Sequence, residues 1–122
     1  MNIYESAEDY LERILMIQLK KGFVKSIDVA KELNVSKPSV SFAMKQLCEH
    51  DYITMDEGKH IHLTPKGREI AERIYERHVL ISKVLLKIGV SEENAYKDAC
   101  KMEHDISDET YAIFKKFAEQ DA

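Results

Sequence analysis

The chain has 122 residues, of which 44% are hydrophobic and 33% charged, a composition typical of a folded globular protein and not of a disordered one. No apolar run is long enough to cross a membrane, and the first residues lack the layout of a signal peptide. Two cysteines are too few for a disulfide framework, which favours a reducing, cytoplasmic location.

The net charge of −4 is unevenly distributed along the chain. Residues 19–47 carry six lysines against two acids, whereas residues 92–122 carry nine acids against four lysines. A protein with a basic segment near its N-terminus and an acidic segment at its C-terminus can bind a polyanion through the basic segment only. The net charge therefore does not exclude DNA as a partner.

The first third of the sequence predicts three helices. Residues 4–20 have apolar side chains at close to a 3.6-residue period. Ser26 can cap a second, shorter helix, and residues 34–36 can form a tight turn before a third, which has Pro38 in its first turn. Two short helices joined in this way are typical of a helix-turn-helix, although a plain helical hairpin gives the same pattern. The local positive charge favours DNA binding.

The next segment predicts a β-hairpin. Residues 52–55 and 60–64 are rich in β-forming side chains, and Asp56-Glu57-Gly58-Lys59 between them supplies a turn. A hairpin directly after the third helix is the arrangement of a winged helix. Lys59 is a candidate for phosphate contact, although the two acids beside it oppose this role. His60 and His62 are two residues apart and so lie on the same face of the strand. Two histidines in this position could bind a metal, but they are more often simply exposed to solvent.

The remaining sequence predicts three further helices. Thr64-Pro65 opens a long one, whose apolar stripe includes His78 and continues to Gly89. A histidine on such a stripe is either a hydrogen-bonded core residue or a functional one. Further helices begin after Ser91 and at Ser107. The last helices are too few to bury their apolar faces in full, which predicts a symmetric homodimer.

Three potential metal ligands, Cys100, Glu103 and His104, lie at relative positions 0, +3 and +4 in the helix that follows Ser91. On one helix this spacing places all three side chains on the same face. The alternative is a solvated Glu–His pair beside a buried cysteine that binds nothing. The triplet alone leaves both interpretations open.

Five segments, in the same order along the chain, resemble the diphtheria toxin repressor/manganese transport regulator family of metal-dependent transcription repressors, and the resemblance is closer to the short manganese type. These segments are residues 8–12 (Glu-Asp-Tyr-Leu-Glu), 35–41 (Val-Ser-Lys-Pro-Ser-Val-Ser), 63–67 (Leu-Thr-Pro-Lys-Gly), 77–78 (Arg-His) and 99–109 (Ala-Cys-Lys-Met-Glu-His-Asp-Ile-Ser-Asp-Glu). The resemblance implies a mainly α fold. An N-terminal winged helix-turn-helix with a small β-hairpin wing (residues 1–74) would precede a helical metal-binding and dimerisation domain (residues 75–122).

The resemblance also implies a set of metal ligands. They are Asp9, Glu12, His78, Cys100, Glu103 and His104. Asp9 matches the manganese type, whereas Cys100 stands where that type usually has Glu and the iron type has Cys. Ser82 and Tyr96 replace the Glu and His of the iron-type ancillary site. Oxygen-rich ligand sets favour Mn²⁺ and a thiolate favours softer metals, so we expect Mn²⁺ or Fe²⁺ in the cell, with Zn²⁺ or Co²⁺ able to substitute.

The resemblance predicts a repressor of metal-uptake genes, in which bound metal fixes a homodimer in the arrangement that binds a palindromic operator in double-stranded DNA. The candidate DNA contacts are Ser36, Lys37, Pro38, Ser39, Ser41, Phe42, Lys45 and Lys59. One alternative is a winged-helix regulator that ignores metals or senses oxidation through Cys100. A metalloenzyme is the other, but no general base remains once the ligands are assigned, so we expect no enzymatic activity. No membrane partner or organic small-molecule ligand is expected.

Overall fold

In the computed structural model, which describes residues 5–120, helices and one two-stranded antiparallel sheet follow one another along the chain. Their bounds are α1 Glu5–Lys21, α2 Ser26–Leu33, α3 Lys37–Glu49, β1 Ile53–Met55, β2 Ile61–Leu63, α4 Pro65–Lys87, α5 Glu92–Met102 and α6 Asp108–Glu119. This order confirms a mainly α fold in which a winged helix-turn-helix precedes a helical region. The described residues form two compact units, which divide between Glu72 and Arg73. None of the described helices is both long and apolar enough to cross a membrane.

The connection between α2 and α3 is built by Asn34 and Ser36. Asn34 has a left-handed φ of 53°, which asparagine tolerates better than most residues. Ser36 Oγ accepts a hydrogen bond from the N–H of Ser39 (3.3 Å) and so caps α3, with Pro38 in the first turn of that helix. The tight turn predicted between two short helices is therefore confirmed.

The start of α2 differs from the prediction by one residue, because Ser26 is the first residue of the helix and does not cap it. The N-cap is Lys25, whose N–H donates to Asp28 Oδ2 (3.0 Å). The other oxygen of Asp28 accepts from Lys21 Nζ (2.9 Å), and Lys21 is the main reason why the pKa of Asp28 is lowered. A carboxylate in the first turn thus binds the N–H group of the cap residue, in place of the predicted serine cap.

The core of the first unit is apolar and draws on α1, α2, α3 and both strands. Its buried side chains include Leu11, Ile14, Val29, Val40, Met44, Leu47, Ile53 and Ile61. Burial of each such side chain stabilises the fold by about 1.5–3 kcal/mol. Because Val40, Met44 and Leu47 face this core, the opposite face of α3 remains exposed to solvent.

The hairpin is shorter than predicted, with three residues in each strand and Ile53 paired with Leu63. The β-forming residues at its ends lie outside the ladder. The N–H of Ile61 donates to the carbonyl of Val24 (2.8 Å), which joins β2 to the segment after α1. This bond holds the hairpin against the helical part of the first unit.

Helix α4 begins as predicted, with Thr64 as its cap. Thr64 Oγ1 accepts from the N–H of Gly67 (3.1 Å) and donates to the carbonyl of Asp51 (2.6 Å). Gly67 lies directly against the backbone of Tyr52, where an added Cβ would be 2.0 Å from the Tyr52 carbonyl oxygen. Only glycine fits this close approach between the helix and the residue before β1.

In the second unit, helices start where the sequence predicts, after Ser91 and at Ser107, and both serines are N-caps. Ser91 and Ser107 accept hydrogen bonds from the N–H groups of Asn94 (3.4 Å) and Thr110 (3.1 Å) at the starts of α5 and α6. Gly89, with a φ of 106°, follows the end of α4. Buried apolar side chains in this unit include Ile74, Ile81, Val84, Ala95 and Ala99.

Candidate metal centre

Three side chains with metal-binding atoms meet inside the second unit: His78 on α4, Cys100 on α5, and Glu103 directly after α5. His78 Nδ1 lies 3.1 Å from Glu103 Oε2 and 3.7 Å from Cys100 Sγ. One nitrogen, one sulfur and one carboxylate oxygen therefore lie within 4.8 Å of one another. With His104, which lies beside Glu103, the second unit brings together four of the six ligands that the family resemblance implies.

The end of α5 sets the spacing between Cys100 and Glu103. Glu103 is the C-cap and keeps helical backbone angles, with a φ of −61° and a ψ of −24°. Its N–H donates to the carbonyl of Ala99 (3.0 Å), as it would within the helix. Because the two residues are three apart on helical backbone, their side chains lie on the same face.

His104 lies in the turn after α5, which corrects the prediction that one helix carries the whole triplet, since α5 ends at Met102. The N–H of Asp105 donates to the carbonyl of Met102 (3.1 Å), three residues back, so the helical pattern of bonds to the fourth residue back is lost here. His104 Nε2 nevertheless lies 3.5 Å from Glu103 Oε1, and the His104 side chain is 2% exposed. The tighter turn keeps the two residues side by side.

Two members of the cluster are shielded from water while Cys100 is half-buried, and the donor atoms fit a divalent metal ion. His78 is 3% exposed and Glu103 is fully buried. Within the part of the chain that the structure describes, His78 Nε2 has no hydrogen-bond partner, which is rare for a buried polar atom. Buried carboxylates are normally paired or bound to metals. Imidazole, thiol and carboxylate donors together suit a transition metal.

Tyr96 is a neighbour of the cluster that the sequence indicated only as a replacement for a histidine of the iron-type ancillary site. Its ring packs edge-on against that of His78, with the centroids 4.5 Å apart and an interplanar angle of 79°. Tyr96 and Cys100 are four residues apart on α5, so they share a helix face. That spacing was the signal available in the sequence. The tyrosine ring restricts the orientations that the imidazole can adopt.

The two other predicted ligands, Asp9 and Glu12, lie on α1 in the first unit. They are three residues apart and so share a face of that helix. Glu12 is fully buried, whereas Asp9 is partly exposed. A buried carboxylate requires hydrogen-bond donors or a cation. Glu12 is therefore unlike the solvated acids that usually occupy the surface of a helix.

The residues predicted to contact DNA lie mostly on one exposed side of α3. The seven that belong to this helix and its cap are all exposed, namely Ser36, Lys37, Pro38, Ser39, Ser41, Phe42 and Lys45. Phe42 is 63% exposed, although it is a large aromatic side chain. A helix face that combines lysines, hydroxyl groups and an exposed ring has the chemistry required to meet a DNA groove.

Lys59, the eighth predicted contact, lies exposed at the tip of the hairpin, where it has a left-handed φ of 63°. Nearby, the Asp56 carboxylate accepts hydrogen bonds from His62 Nε2 (2.8 Å) and from the backbone N–H of His60 (3.0 Å). The bond from His62 is the main reason why the pKa of Asp56 falls to about 2. This carboxylate therefore stays ionised at neutral pH, and its charge continues to oppose phosphate contact by Lys59.

Both parts of the chain match described domains of one family. Residues 2–61 match the iron dependent repressor N-terminal DNA binding domain, and residues 64–120 match the iron dependent repressor metal binding and dimerisation domain. These two matches cover nearly the whole sequence.

Individual relatives belong to the same family as the two domain matches. The HTH-type transcriptional regulator MntR of Geobacillus kaustophilus (strain HTA426) is 39% identical over 102 residues, which are 84% of this chain and 72% of that protein. The transcriptional regulator MntR of Salmonella typhimurium is 37% identical over 116 residues, 95% of this chain and 74% of that protein. A solved structure of a manganese-dependent transcriptional repressor in complex with manganese matches 92% of this chain, with a TM-score of 0.82 and 27% sequence identity. The repressor is longer, and the match covers about half (52%) of its chain. The protein therefore belongs to the iron dependent repressor family, on its manganese-regulator branch, as the five sequence segments predicted.

Proposed function

We propose that this protein is a metal-ion-dependent DNA-binding transcriptional repressor of metal-uptake genes, which acts as a homodimer in the cytoplasm. The observation that carries this proposal is the cluster of buried His78 and Glu103 with half-buried Cys100, in the same chain as an exposed helix-turn-helix face. The family is one of transcription regulators and not of enzymes, so the metalloenzyme alternative is not supported. Relatives that are manganese regulators also disfavour a metal-independent regulator.

The metal would be held by His78, Cys100, Glu103 and His104 of the second unit, and the family resemblance adds Asp9 and Glu12 from α1. Of the histidine nitrogens, Nδ1 of His78 faces both the thiol and the carboxylate, so it is the atom that we assign as ligand. Bound Mn²⁺ or Fe²⁺ would supply positive charge that neutralises the carboxylates, and Zn²⁺ or Co²⁺ can substitute. Before metal binds, the acids of the set repel one another.

The DNA-binding role falls to residues 1–74, whose first helix also supplies Asp9 and Glu12 as metal ligands, while the other ligands and dimerisation fall to residues 75–122. In the first part, the exposed side of α3 would enter the major groove, where lysines and serines meet phosphates and Phe42 meets base edges. A homodimer presents two such helices, so its operator is a palindrome in double-stranded DNA. The dimer is in equilibrium between a DNA-competent arrangement and arrangements that do not fit DNA. A metal ion that binds the DNA-competent arrangement more tightly shifts this equilibrium towards it.

The test is a binding titration on an operator duplex selected from a random library in the presence of Mn²⁺. We expect tight binding with Mn²⁺ or Fe²⁺ under reducing, anaerobic conditions, and weak binding with a chelator. Operator affinity that a chelator leaves unchanged would refute the metal switch. Affinity that responds to oxidant in the presence of chelator, and not to metal, would favour a redox sensor that acts through Cys100.

A further inference from the structure

Arg77, the residue before His78 on α4, directs its guanidinium group at the turn that follows α5. Its Nη1 donates to the backbone carbonyls of Glu103 (3.3 Å) and Ile106 (3.0 Å). Its Nη2 donates to Asp108 Oδ1 (2.6 Å) in the first turn of α6. One side chain therefore spans the whole connection between α5 and α6.

The guanidinium group is itself held in place. The Arg77 side chain is 11% exposed, and its Cζ lies 5.1 Å from the centre of the Tyr111 ring. Arginine is suited to such a position because its planar group presents several N–H donors in a fixed geometry and packs on aromatic rings. By contrast, the Asp108 side chain is fully exposed, so its ion pair is screened by water and adds little. The two carbonyl contacts are the part of this arrangement that the protein interior protects.

The connection that Arg77 spans carries Glu103 and His104. Glu103 is the C-cap of α5 and His104 lies beyond it, so the regular helix does not by itself fix the turn that follows Glu103. Arg77 binds the backbone carbonyl of Glu103, while its neighbour His78 contacts the carboxylate of the same residue. Two adjacent residues of α4 thus hold the two ends of Glu103. Rotation or displacement of the turn would break both contacts.

We propose that Arg77 is a positioning residue for the metal centre: it fixes the turn of residues 103–106 before metal arrives and thereby raises metal affinity. This inference rests on the proposed metal site. It differs from a general contribution to folding, because it predicts weaker metal binding in a protein that is still folded. Residues that only orient a metal ligand typically change metal affinity by about 10- to 100-fold when they are replaced.

The experiment measures Mn²⁺ affinity by calorimetry and, on the same samples, thermal unfolding in the presence of a chelator. Arg77→Met keeps an unbranched side chain as far as the Nε position but removes the guanidinium group with all its donors, and we expect it to weaken Mn²⁺ binding by about 10- to 100-fold. Arg77→Lys keeps the positive charge but has fewer donors in a fixed geometry, so its Mn²⁺ affinity should lie between those of Arg77→Met and the wild type. Asp108→Asn is the matched control, and it should change affinity by less than about fivefold, as expected for an exposed ion pair.

Hydrogen exchange provides a readout that does not depend on metal. In the metal-free Arg77→Lys variant, we expect the amides of residues 103–106 to exchange faster than in the wild type, while those of α1 to α3 are unchanged. A folded Arg77→Met or Arg77→Lys variant with wild-type Mn²⁺ affinity and wild-type exchange would overturn the proposal, as would an Asp108→Asn variant that is equally damaged. A wild-type chain that binds no metal would instead overturn the proposed function, and this inference with it.

Discussion

His78 Nδ1 and Glu103 Oε2 lie 3.1 Å apart in a region of the second unit where both side chains are almost fully shielded from water. In such surroundings a carboxylate interacts more strongly with a nearby donor or cation than it does at the surface. The same burial makes the charge costly when nothing compensates it. The pair therefore favours a state in which a cation lies close to the carboxylate.

Replacement of Glu103 by Gln tests this relationship. Gln keeps the size and the ability to hydrogen-bond but removes the charge, so we expect Mn²⁺ affinity to fall by more than the roughly 10- to 100-fold that is typical of residues that only orient a ligand. The metal-free variant should be no less stable than the wild type, because a buried charge has been removed. Calorimetric titration and thermal unfolding measure the two quantities. Glu109→Gln, an exposed acid of α6, is the control and should change neither.

Cys100 is expected to decide metal preference. Thiolates favour Zn²⁺ and Co²⁺ over Mn²⁺, so Cys100→Ser should weaken Co²⁺ and Zn²⁺ binding more than Mn²⁺ binding. The Co²⁺ complex of the wild type should show sulfur-to-metal charge-transfer absorption, and the variant should lose it. Cys48→Ser is the matched control, since burial raises the pKa of the Cys48 thiol and this residue lies on α3 in the other unit. A charge-transfer band that survives in Cys100→Ser contradicts the assignment.

Phe42 and Lys45 on α3 should affect DNA binding in different ways. Phe42→Ala should cost about 1–3 kcal/mol of specific binding and relax base preference at one position, as loss of a base contact does. Lys45→Ala should weaken binding to all sequences alike and reduce the salt dependence by about one phosphate contact. Anisotropy titrations on operator and random duplexes over a range of salt concentrations distinguish the two outcomes.

Lys97→Ala is the control for both substitutions, because Lys97 is exposed on α5 and pairs with Glu93 (3.1 Å). It should leave DNA affinity unchanged. If Phe42→Ala weakens specific and random duplexes equally, the assignment of Phe42 to base contact is wrong.

The Asp56–His62 contact predicts how the hairpin responds to acid. The pKa of Asp56 is lowered from 3.8 to about 2, chiefly by the hydrogen bond from His62, so Asp56 binds protons less readily in the folded protein than in the unfolded one. Its contribution to stability is therefore fully present above about pH 5, where Asp56 is ionised in both states, and is lost as the pH falls towards 2.

His62→Ala should raise the pKa of Asp56 towards its ordinary value, which a carboxyl NMR titration measures directly. The internal control is Asp28, whose pKa is lowered chiefly by Lys21 and should not respond. An Asp56 pKa that stays near 2 in the variant would mean that the backbone N–H of His60 is the dominant cause.

Gly67→Ala should destabilise the first unit. At most helix positions this change stabilises by about 1 kcal/mol, because alanine has the higher helix propensity. Here the new Cβ would lie 2.0 Å from the Tyr52 carbonyl oxygen, so backbone must shift. We expect a loss of about 1–3 kcal/mol, as overpacking usually costs. Urea unfolding measures it, and Glu69→Ala, exposed on the same helix, should stay within about 0.5 kcal/mol of the wild type.

Local features of the fold could be read from the sequence because each depends on a few adjacent residues. The left-handed Asn34 and the serine caps at Ser91 and Ser107 follow from local side-chain chemistry. The cap of α2 was missed because Ser26 is a better cap residue than Lys25, and only the position of Asp28 reverses that preference. The end of α5 was missed because no glycine or proline occurs in residues 103–106 to mark it.

The candidate site was only partly predictable. The spacing of Cys100 and Glu103 is local, and the assignment of His78 as a partner came from the family resemblance. Arg77 was noted only as one half of a matching Arg–His pair. Its hydrogen bonds reach residues 26 to 31 positions further along the chain, and no periodicity in the sequence records contacts at that separation.

The end of α5 at Met102 has a consequence for engineering by insertion. Loops usually tolerate added residues, and short connections are where reporters or tags are placed. The connection at residues 103–107 is an exception, because added length would separate Glu103 from Ile106, which Arg77 holds together. Gly89 is the better site in this unit, since an added side chain there meets no atom within 4 Å among the described residues. A cassette that continues from a retained Gly89 would keep its left-handed backbone and leave the turn of residues 103–106 at its native length.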